Sequence, residues 1–183
     1  MIIGRKIVHY PVIDSTSDEA RRLVMRGEGE GTVIIADHQT GGRGKPGSGW
    51  FSPEGNIYFS ALLKPYLNPP SLAPITLFSA LAARAALLQA ADLPIVIKWP
   101  NDLLVNGRKI AGILVEGVAG CLIVGIGINV NIGEEDFPRE LRGEASSLFM
   151  ETGIKHDLKK ISELLIAELN KYYLVFLGNK NDK

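Results

Sequence analysis

A glycine-rich loop with two cations is the segment of this sequence best suited to bind an anion. Residues 41–50 read Gly-Gly-Arg-Gly-Lys-Pro-Gly-Ser-Gly-Trp, so Arg43, Lys45 and Trp50 lie among five glycines. Glycine leaves backbone N–H groups uncovered, which allows a ligand to approach them closely. Uncovered N–H groups beside positive side chains favour a negatively charged ligand. The alternative is a surface loop without a function.

This loop fits neither of the two common phosphate-binding fingerprints. Residues 42–47 have the letters Gly-x-Gly-x-x-Gly, but the dinucleotide fingerprint requires a helix that opens at the third glycine. The following residues, 48–53, read Ser-Gly-Trp-Phe-Ser-Pro and cannot start a helix. A Walker A loop is also excluded, because no Gly-Lys-Ser/Thr ending is present.

Three further segments place polar side chains where apolar residues would be expected. Residues 98–102, Lys-Trp-Pro-Asn-Asp, end a short strand pattern, Lys109 follows a predicted tight turn, and Asn129 and Asn131 end a run of alternating glycine and aliphatic residues. The alternatives are ordinary turns and a solvated hairpin edge, with Asp102 as a turn cap.

Two other groups of polar residues give weaker signals. Residues 15–17, Ser-Thr-Ser, are most simply a helix N-cap, although a helix N-terminus also offers backbone donors to a ligand. The three histidines, His9, His38 and His156, are too dispersed to predict a metal site, and the single cysteine, Cys121, offers them no partner.

The elements that position these residues predict one α+β domain over residues 1–183. Helices and hairpin signals are mixed rather than alternating, so we expect a mixed, largely antiparallel β-sheet with helices packed on one face. Asn106-Gly107 is a type I′ hairpin signal, and a second turn is predicted at Ala119-Gly120. Strands are predicted at 6–13, 32–37, 56–63, 95–98, 103–105, 110–115 and 121–130, helices at 16–26, 71–91 and 158–176, and a loop at 65–70.

Two of the predicted helices have specific sequence signals. Residues 16–19, Thr-Ser-Asp-Glu, fit a capping box, and Gly27 is the predicted C-terminal stop. The helix at 71–91 has apolar residues at helical spacing, which predicts that this stripe lies on the sheet. The stripe consists of Leu72, Ile75, Phe78, Ala82, Ala85 and Leu88.

Composition limits the class of protein. The 183 residues include 20 basic and 20 acidic side chains, so the net charge gives no attraction to nucleic acid or to an anionic membrane. The lone Cys121 cannot form an internal disulfide, which favours a reducing compartment. We expect a cytoplasmic, soluble chain, since residues 1–6 do not resemble a signal peptide and no apolar stretch approaches the length of a membrane span.

The order of the motifs closely resembles that of the biotin–protein ligases, over almost the whole chain. The most specific part is residues 98–102 followed by residues 109–116, Lys-Ile-Ala-Gly-Ile-Leu-Val-Glu. The other matching segments are Ser15-Thr16, Gln39 to Lys45, Trp50 to Gly55 and Gly125 to Val130.

This resemblance implies a catalytic domain similar to that of class II aminoacyl-tRNA synthetases. It implies that biotin and ATP give biotinyl-5′-AMP and pyrophosphate, after which a lysine of a biotin carrier domain attacks the mixed anhydride. No nucleophile of the enzyme is required. Mg²⁺ is expected with ATP, with no ligands assigned, and a homodimer is common in the family.

The resemblance also implies a role for each matching residue. It assigns catalysis to Lys109, Arg43 and Lys45. The residues implied to bind biotin are Ser15, Thr16, Ser17, Gln39, Gly42, Arg43, Gly44, Lys45, Lys109 and Gly112. The residues implied to bind ATP are Trp50, Asn101, Lys109, Asn129, Ala145 and Ser146.

The sequence departs from the family pattern in three places. Lys45 stands where the family usually has arginine, and lysine lacks the planar fork that pairs with carboxylate and phosphate. Ser17 stands where asparagine is common. The chain ends soon after Phe176, where the family typically continues into a small β-barrel. We therefore expect a short, archaeal-like form that retains adenylation, with a separate chain as one source of the barrel. Without an N-terminal helix-turn-helix domain, no repressor activity is expected.

Two alternatives to a complete biotin–protein ligase stay open at this point. One is a module that binds biotin or its adenylate, or catalyses only adenylation, and depends on a second chain. The other is a lipoate or octanoate ligase of the same fold. The residues Arg43, Lys45 and Trp50 match the biotin branch better.

Overall fold

A seven-stranded mixed sheet carries the motifs in the computed structural model, which describes residues 1–45, 47–65 and 72–178. The strands are β1 (Lys6–Ile13), β2 (Thr32–Gln39), β3 (Ile57–Leu63), β4 (Val96–Lys98), β5 (Asp102–Val105), β6 (Arg108–Val118) and β7 (Cys121–Ile128). The helices are α1 (Thr16–Met25), α2 (Leu72–Ala90), α3 (Leu148–Thr152) and α4 (Leu158–Gly178). Two short 3₁₀ turns, Glu134–Asp136 and Arg139–Leu141, precede α3.

The strand order is β1-β2-β3-β7-β6-β5-β4. The β1–β2 pair is parallel and every other neighbouring pair is antiparallel, which confirms the mixed, largely antiparallel sheet. Both predicted hairpin turns are present. Asn106 and Gly107 have φ angles of 50° and 81°, and Ala119 and Gly120 have φ angles of 45° and 76°, as a type I′ turn requires.

The two faces of the sheet are covered by different helices. Side chains alternate along a strand, so β3 directs Phe59 and Ala61 into the main core with α2 and α4, which pack on each other. Leu62 points the other way, into a smaller cluster with Ala20 and Val24 of α1. The expected packing on one face therefore holds for the two long helices. The short α1 lies on the opposite face because its narrow apolar stripe covers only a small patch there.

Two details of the predicted helices are corrected. The N-cap of α1 is Ser15, not Thr16, and its Oγ accepts the backbone N–H of Asp18 at 3.3 Å. Both ends of the predicted stripe of α2 are exposed: Leu72 is 38% exposed and Leu88 is 40% exposed, whereas Leu87 is fully buried. Leu88 follows Ala82 by two steps of three residues, and each step falls about 60° short of a full turn, which carries Leu88 off the buried face. Of the loop predicted at 65–70, residues 66–70 lie outside the described residues.

By length and composition, α2 is apolar enough to cross a membrane, with a mean hydropathy of 1.4. This 19-residue helix corrects the expectation that no apolar stretch approaches the length of a membrane span. However, 44% of this helix window is buried in the structure, with Ile75, Phe78 and Leu87 in the main core. A core helix passes the same test of length and composition.

Candidate functional site

The glycine-rich loop forms a small hairpin over one face of the sheet. Trp50 N–H donates to the carbonyl of Gly42 at 2.9 Å, and Gly44 N–H donates to the carbonyl of Ser48 at 3.1 Å. Arg43 faces Gly49 across this hairpin in an isolated bridge. Arg43 and Gly49 are a non-hydrogen-bonded pair, so each directs its backbone N–H group away from the opposite strand of the hairpin.

A buried amide connects this hairpin to the start of α1. Gln39 Oε1 accepts the backbone N–H of Thr16 at 2.8 Å, and Gln39 Nε2 donates to Ser52 Oγ at 2.9 Å. Ser52 Oγ in turn donates to the carbonyl of Trp50 at 2.8 Å. Gly42 lies against these groups, and a Cβ there would come within 2.4 Å of the Trp50 carbonyl oxygen. Gly42 thus has a packing reason to be glycine.

Three buried hydroxyl groups form one end of the cleft below the hairpin. Ser60 of β3 donates to Thr16 Oγ1 at 2.9 Å, and its Oγ lies 3.2 Å from Ser17 Oγ. Ser17 Oγ also lies above Gly125 of β7, where a Cβ would approach it to 2.8 Å. These hydroxyls can donate to or accept from a polar ring.

Two facing glycines form the floor of the cleft. Gly112 of β6 pairs with Gly127 of β7, and the Trp50 ring lies on both. A Cβ would come within 2.8 Å of the ring at Gly112 and within 2.4 Å at Gly127. The Trp50 Nε1–H is buried and has no hydrogen-bond partner among the described residues. Such a donor is costly when it stays unpaired, which makes it a candidate contact for a ligand.

A β-bulge directs Lys109 into this cleft. Along β5 and β6, Leu103 faces Ala111 whereas Leu104 faces Lys109, so Ile110 is the extra residue. Ile110 and Ala111 are both in the main core, and the bulge turns the preceding side chain to the other face. Lys109 Nζ lies 2.9 Å from Asp102 Oδ1 and 5.1 Å from the centroid of a Trp50 ring.

The backbone of Lys109 is held from behind by the segment that precedes α3. Lys109 N–H donates to the carbonyl of Glu144 at 2.9 Å, and Ser146 N–H donates to the carbonyl of Lys109 at 2.8 Å. Ala145 bridges to Lys109 in parallel, and Asn129 Nδ2 donates to the carbonyl of Ser146 at 3.0 Å. These contacts fix the backbone of Lys109, from which its side chain extends into the cleft.

The two cations of the hairpin are in different environments. Arg43 pairs with Asp18 of α1 at 2.7 Å and with Glu116 of β6 at 2.8 Å, and Arg21 also reaches Glu116 at 3.2 Å. The hydrogen bond that Arg43 donates to the Asp18 carboxylate raises the pKa of Arg43. Lys45 is exposed and has no ion pair within residues 1–45, 47–65 and 72–178. Arg43 is therefore held in place, and Lys45 is free to meet a ligand.

Most of the predicted site residues meet in this one cleft. Those that line it are Ser15, Thr16, Ser17, Gln39, Arg43, Gly44, Lys45, Trp50, Asn101, Lys109 and Gly112. Gly42, Asn129, Ala145 and Ser146 do not line it and instead support the hairpin and Lys109 from behind.

Several residues of the cleft were not assigned from the sequence. They include Tyr58, Leu114, Gly125 and Gly127 in the lining, and Asp102 as the partner of Lys109. A usable signal existed for the glycines: they occupy one face of β7 at a spacing of two. Among the described residues, no group of three or more His, Cys, Asp and Glu side chains could hold a metal ion.

Known proteins of one family share this sequence pattern. A model of the biotin/lipoate A/B protein ligase family matches residues 10–132. The chain is 37% identical over 178 residues to the bifunctional ligase/repressor BirA of Bacillus subtilis. The matched region covers 94% of this chain and 55% of that protein. It is 31% identical over 161 residues to a biotin–[acetyl-CoA-carboxylase] ligase of Mycobacterium tuberculosis, and this match covers 85% of this chain and 59% of that protein. The chain thus spans little more than half the length of these curated relatives.

Solved structures share the fold. The biotin protein ligase from Aquifex aeolicus in complex with biotin and ATP superimposes with a TM-score of 0.86 and 34% identity, covering 95% of this chain and 72% of that one. A bipartite lipoate protein ligase from Thermoplasma acidophilum superimposes with a TM-score of 0.72 at 12% identity, and the match covers 94% of this chain and 84% of that one. The second likeness shows the fold alone.

Proposed function

The chain belongs to the biotin/lipoate A/B protein ligase family, and on this premise we propose that it is the catalytic domain of a biotin–protein ligase. It condenses biotin with ATP to give biotinyl-5′-AMP and pyrophosphate. It then transfers the biotinyl group to a lysine of a biotin carrier domain, with release of AMP.

The observation that carries the proposal is the position of Lys109. The bulge directs its ammonium group into a cleft floored by Gly112 and Gly127. The hydroxyl cluster lies near Gly125, two residues further along β7, which corresponds to about 7 Å. A ligand with a polar ring at one end and a carboxylate at the other fits this arrangement, and biotin has this form.

The adenylation step brings two anions together. A carboxylate oxygen of biotin attacks the α-phosphorus of ATP, a new C–O–P bond forms, and the bond to pyrophosphate breaks. Negative charge accumulates on the phosphoryl oxygens in the transition state. Lys109 Nζ and the Arg43 guanidinium, which both line the cleft, would stabilise this charge, because they are held in place before the reaction begins. Holding both reactants in one cleft supplies much of the remaining acceleration.

The hydroxyl cluster is suited to the ureido ring of biotin, which has two N–H donors and one carbonyl acceptor. The Thr16, Ser17 and Ser60 hydroxyls can serve both functions. The Gln39 amide is occupied by protein partners at both ends. We therefore assign Gln39 to holding α1 and the hairpin together at the edge of the biotin pocket.

On the nucleotide side, Trp50 and Asn101, which both line the cleft, are the candidate contacts. Asn129, Ala145 and Ser146 lie behind Lys109 and would act mainly by supporting it. Mg²⁺ would enter as part of the substrate MgATP.

The experiment that tests the proposal measures pyrophosphate release and labelling of an apo biotin carrier domain in the same tube. Biotin and ATP should together give both signals, and replacing biotin with lipoate or octanoate should give neither. Pyrophosphate without labelled carrier would limit this chain to adenylation. Biotin binding without either signal would favour a binding module, and signals only with lipoate or octanoate would contradict biotin as the substrate.

The matched variants are Lys109→Gln and Lys159→Gln. Lys159 is an exposed lysine on α4 and has no ion pair among the described residues. We expect Lys109→Gln to lower the rate of pyrophosphate release by about 100-fold or more, the range measured when one stabilising donor is removed. Lys159→Gln should leave this rate within twofold of the wild type.

A further inference from the structure

Glu151 of α3 is a buried carboxylate with three donors. Ser146 Oγ donates to its Oε1 at 2.5 Å, Arg108 Nη2 donates to the same oxygen at 2.7 Å, and Asn106 Nδ2 donates to Oε2 at 2.9 Å. Only 4% of the Glu151 side chain is exposed. A buried charge is costly unless it is paired and hydrogen-bonded, and this one satisfies both conditions.

The donors connect segments that are distant in the chain. Asn106 and Arg108 flank the β5–β6 turn, 45 and 43 residues before Glu151, whereas Ser146 directly precedes α3. The carboxylate therefore fastens the tip of a hairpin to the segment before α3. Turn residues usually face solvent, so an ion pair between Arg108 and a buried carboxylate at this tip indicates a particular constraint.

Lys109 lies within the region fastened by Glu151. It is the next residue after Arg108, and its backbone bonds the carbonyl of Glu144 and the N–H of Ser146. The bulge places Ile110 outside the regular pairing with β5. The orientation of Lys109 consequently depends on the segment behind it, which Glu151 holds through Ser146 and Arg108.

We propose that Glu151 is a positioning residue for Lys109, a role that rests on the proposed ligase function. Glu151 does not reach the reacting atoms. It sets the distance from Lys109 Nζ to the cleft by locking the β5–β6 turn onto the segment before α3. Because about 1 Å of misplacement can lower a rate by about 100-fold, loss of this lock should affect turnover far more than biotin affinity.

The test compares Glu151→Ala and Glu151→Gln with the control Glu168→Ala. Glu168 is also a largely buried helical carboxylate, 12% exposed, but its partners are Lys171 of α4 and Gln89 of α2. We expect Glu151→Ala to lower kcat for pyrophosphate release by about 10- to 100-fold while the Kd for biotin stays within threefold. Glu151→Gln retains the acceptor oxygen and should restore kcat to within about fivefold. Glu168→Ala should change neither.

A milder variant covers the case in which Glu151→Ala does not fold. Asn106→Gly keeps the positive φ of the turn but removes one donor, and it should lower kcat by about threefold with unchanged biotin affinity. Equal losses of kcat and biotin affinity in these variants, or wild-type kcat in Glu151→Ala, would overturn the proposal.

Amide hydrogen exchange separates this inference from the ligase function itself. Exchange at Lys109 and Ser146 should accelerate in Glu151→Ala and not in Glu168→Ala, whether or not pyrophosphate is released. If the wild-type protein releases no pyrophosphate but the two variants show this exchange pattern, the proposed ligase function is wrong and the positioning of Lys109 by Glu151 still stands. Unchanged exchange at both amides in Glu151→Ala would contradict the proposal that Glu151 positions Lys109.

Discussion

The contact between Trp50 and the glycine floor predicts a strong effect of one added methyl group. In Gly127→Ala the new Cβ would lie 2.4 Å from Trp50 Cε2 and 2.5 Å from Nε1. These separations are far below van der Waals contact, so the indole ring must move. The matched control is Gly117→Ala on neighbouring β6, where the nearest atom, a Leu122 methyl carbon, lies at 3.9 Å.

The difference between the two variants isolates the cost of this clash. Both replacements reduce the entropy of the unfolded chain, which stabilises each variant by about 0.4–1 kcal/mol and cancels in the comparison. Overpacking at Gly127 costs about 1–3 kcal/mol, and displacement of Trp50 also weakens its cation–π contact with Lys109. With about 2 kcal/mol of difference, Gly127→Ala should melt about 4–8 °C below Gly117→Ala.

The assay is thermal unfolding together with tryptophan fluorescence in a Trp99→Phe background. Trp99 is 73% exposed, so its removal leaves Trp50 as the reporter. Gly127→Ala should shift the Trp50 emission to longer wavelength and weaken biotin binding, because the displaced ring opens the hairpin. Equal melting temperatures and identical emission in the two glycine variants would refute the account of the floor.

Three further predictions concern other parts of the chain. Lys45→Arg should slow dissociation of biotinyl-5′-AMP several-fold, because arginine supplies a bidentate fork; an unchanged rate in a rapid-dilution experiment would contradict this. Hydrogen bonds from Arg22 lower the pKa of Asp14 from 3.8 to about 2, so the stabilisation is present above pH 3.8 and is lost as the pH falls through about 2. For this half-exposed pair, Asp14→Asn should lower the free energy of unfolding in urea by about 0.5–1 kcal/mol at pH 7, with the difference vanishing near pH 2. Asn170 Oδ1 accepts the buried backbone N–H of Ile3 at 2.9 Å, and Asn170 Nδ2 donates to the Ile3 carbonyl. Asn170→Leu should therefore lower the free energy of unfolding in urea by about 2–3 kcal/mol.

Features set by local chemistry were predictable from the sequence. The Asn106-Gly107 turn is one example, since a type I′ turn requires positive φ at both residues and few dipeptides tolerate it. The long helix at Leu158–Gly178 is another, because its apolar spacing continues over five turns. That residues 41–50 bind an anion stays a prediction from their glycines and cations.

Features set by contacts distant in sequence were not predictable. The Ile110 bulge depends on how β5 and β6 align, and it decides which face Lys109 occupies. Likewise, Gln39 suits a ligand-binding role by its type, yet both ends of its amide bond protein groups 13 and 23 residues away. The N-cap of α1 differs by one residue because Ser15 and Thr16 are both good caps, and only the path of the chain after β1 selects between them.

The charges of the cleft explain why it would favour the transition state over bound substrates. Arg43 is already paired with two carboxylates and Lys109 with Asp102, so a substrate anion must compete with partners that are in place. That competition limits the gain from binding biotin or ATP in the ground state. The additional charge that develops during phosphoryl transfer meets cations whose positions need no rearrangement, and interactions that strengthen only at that stage raise kcat. Asp102 therefore moderates the attraction of Lys109 for substrates while it holds the ammonium group in place for the proposed reaction.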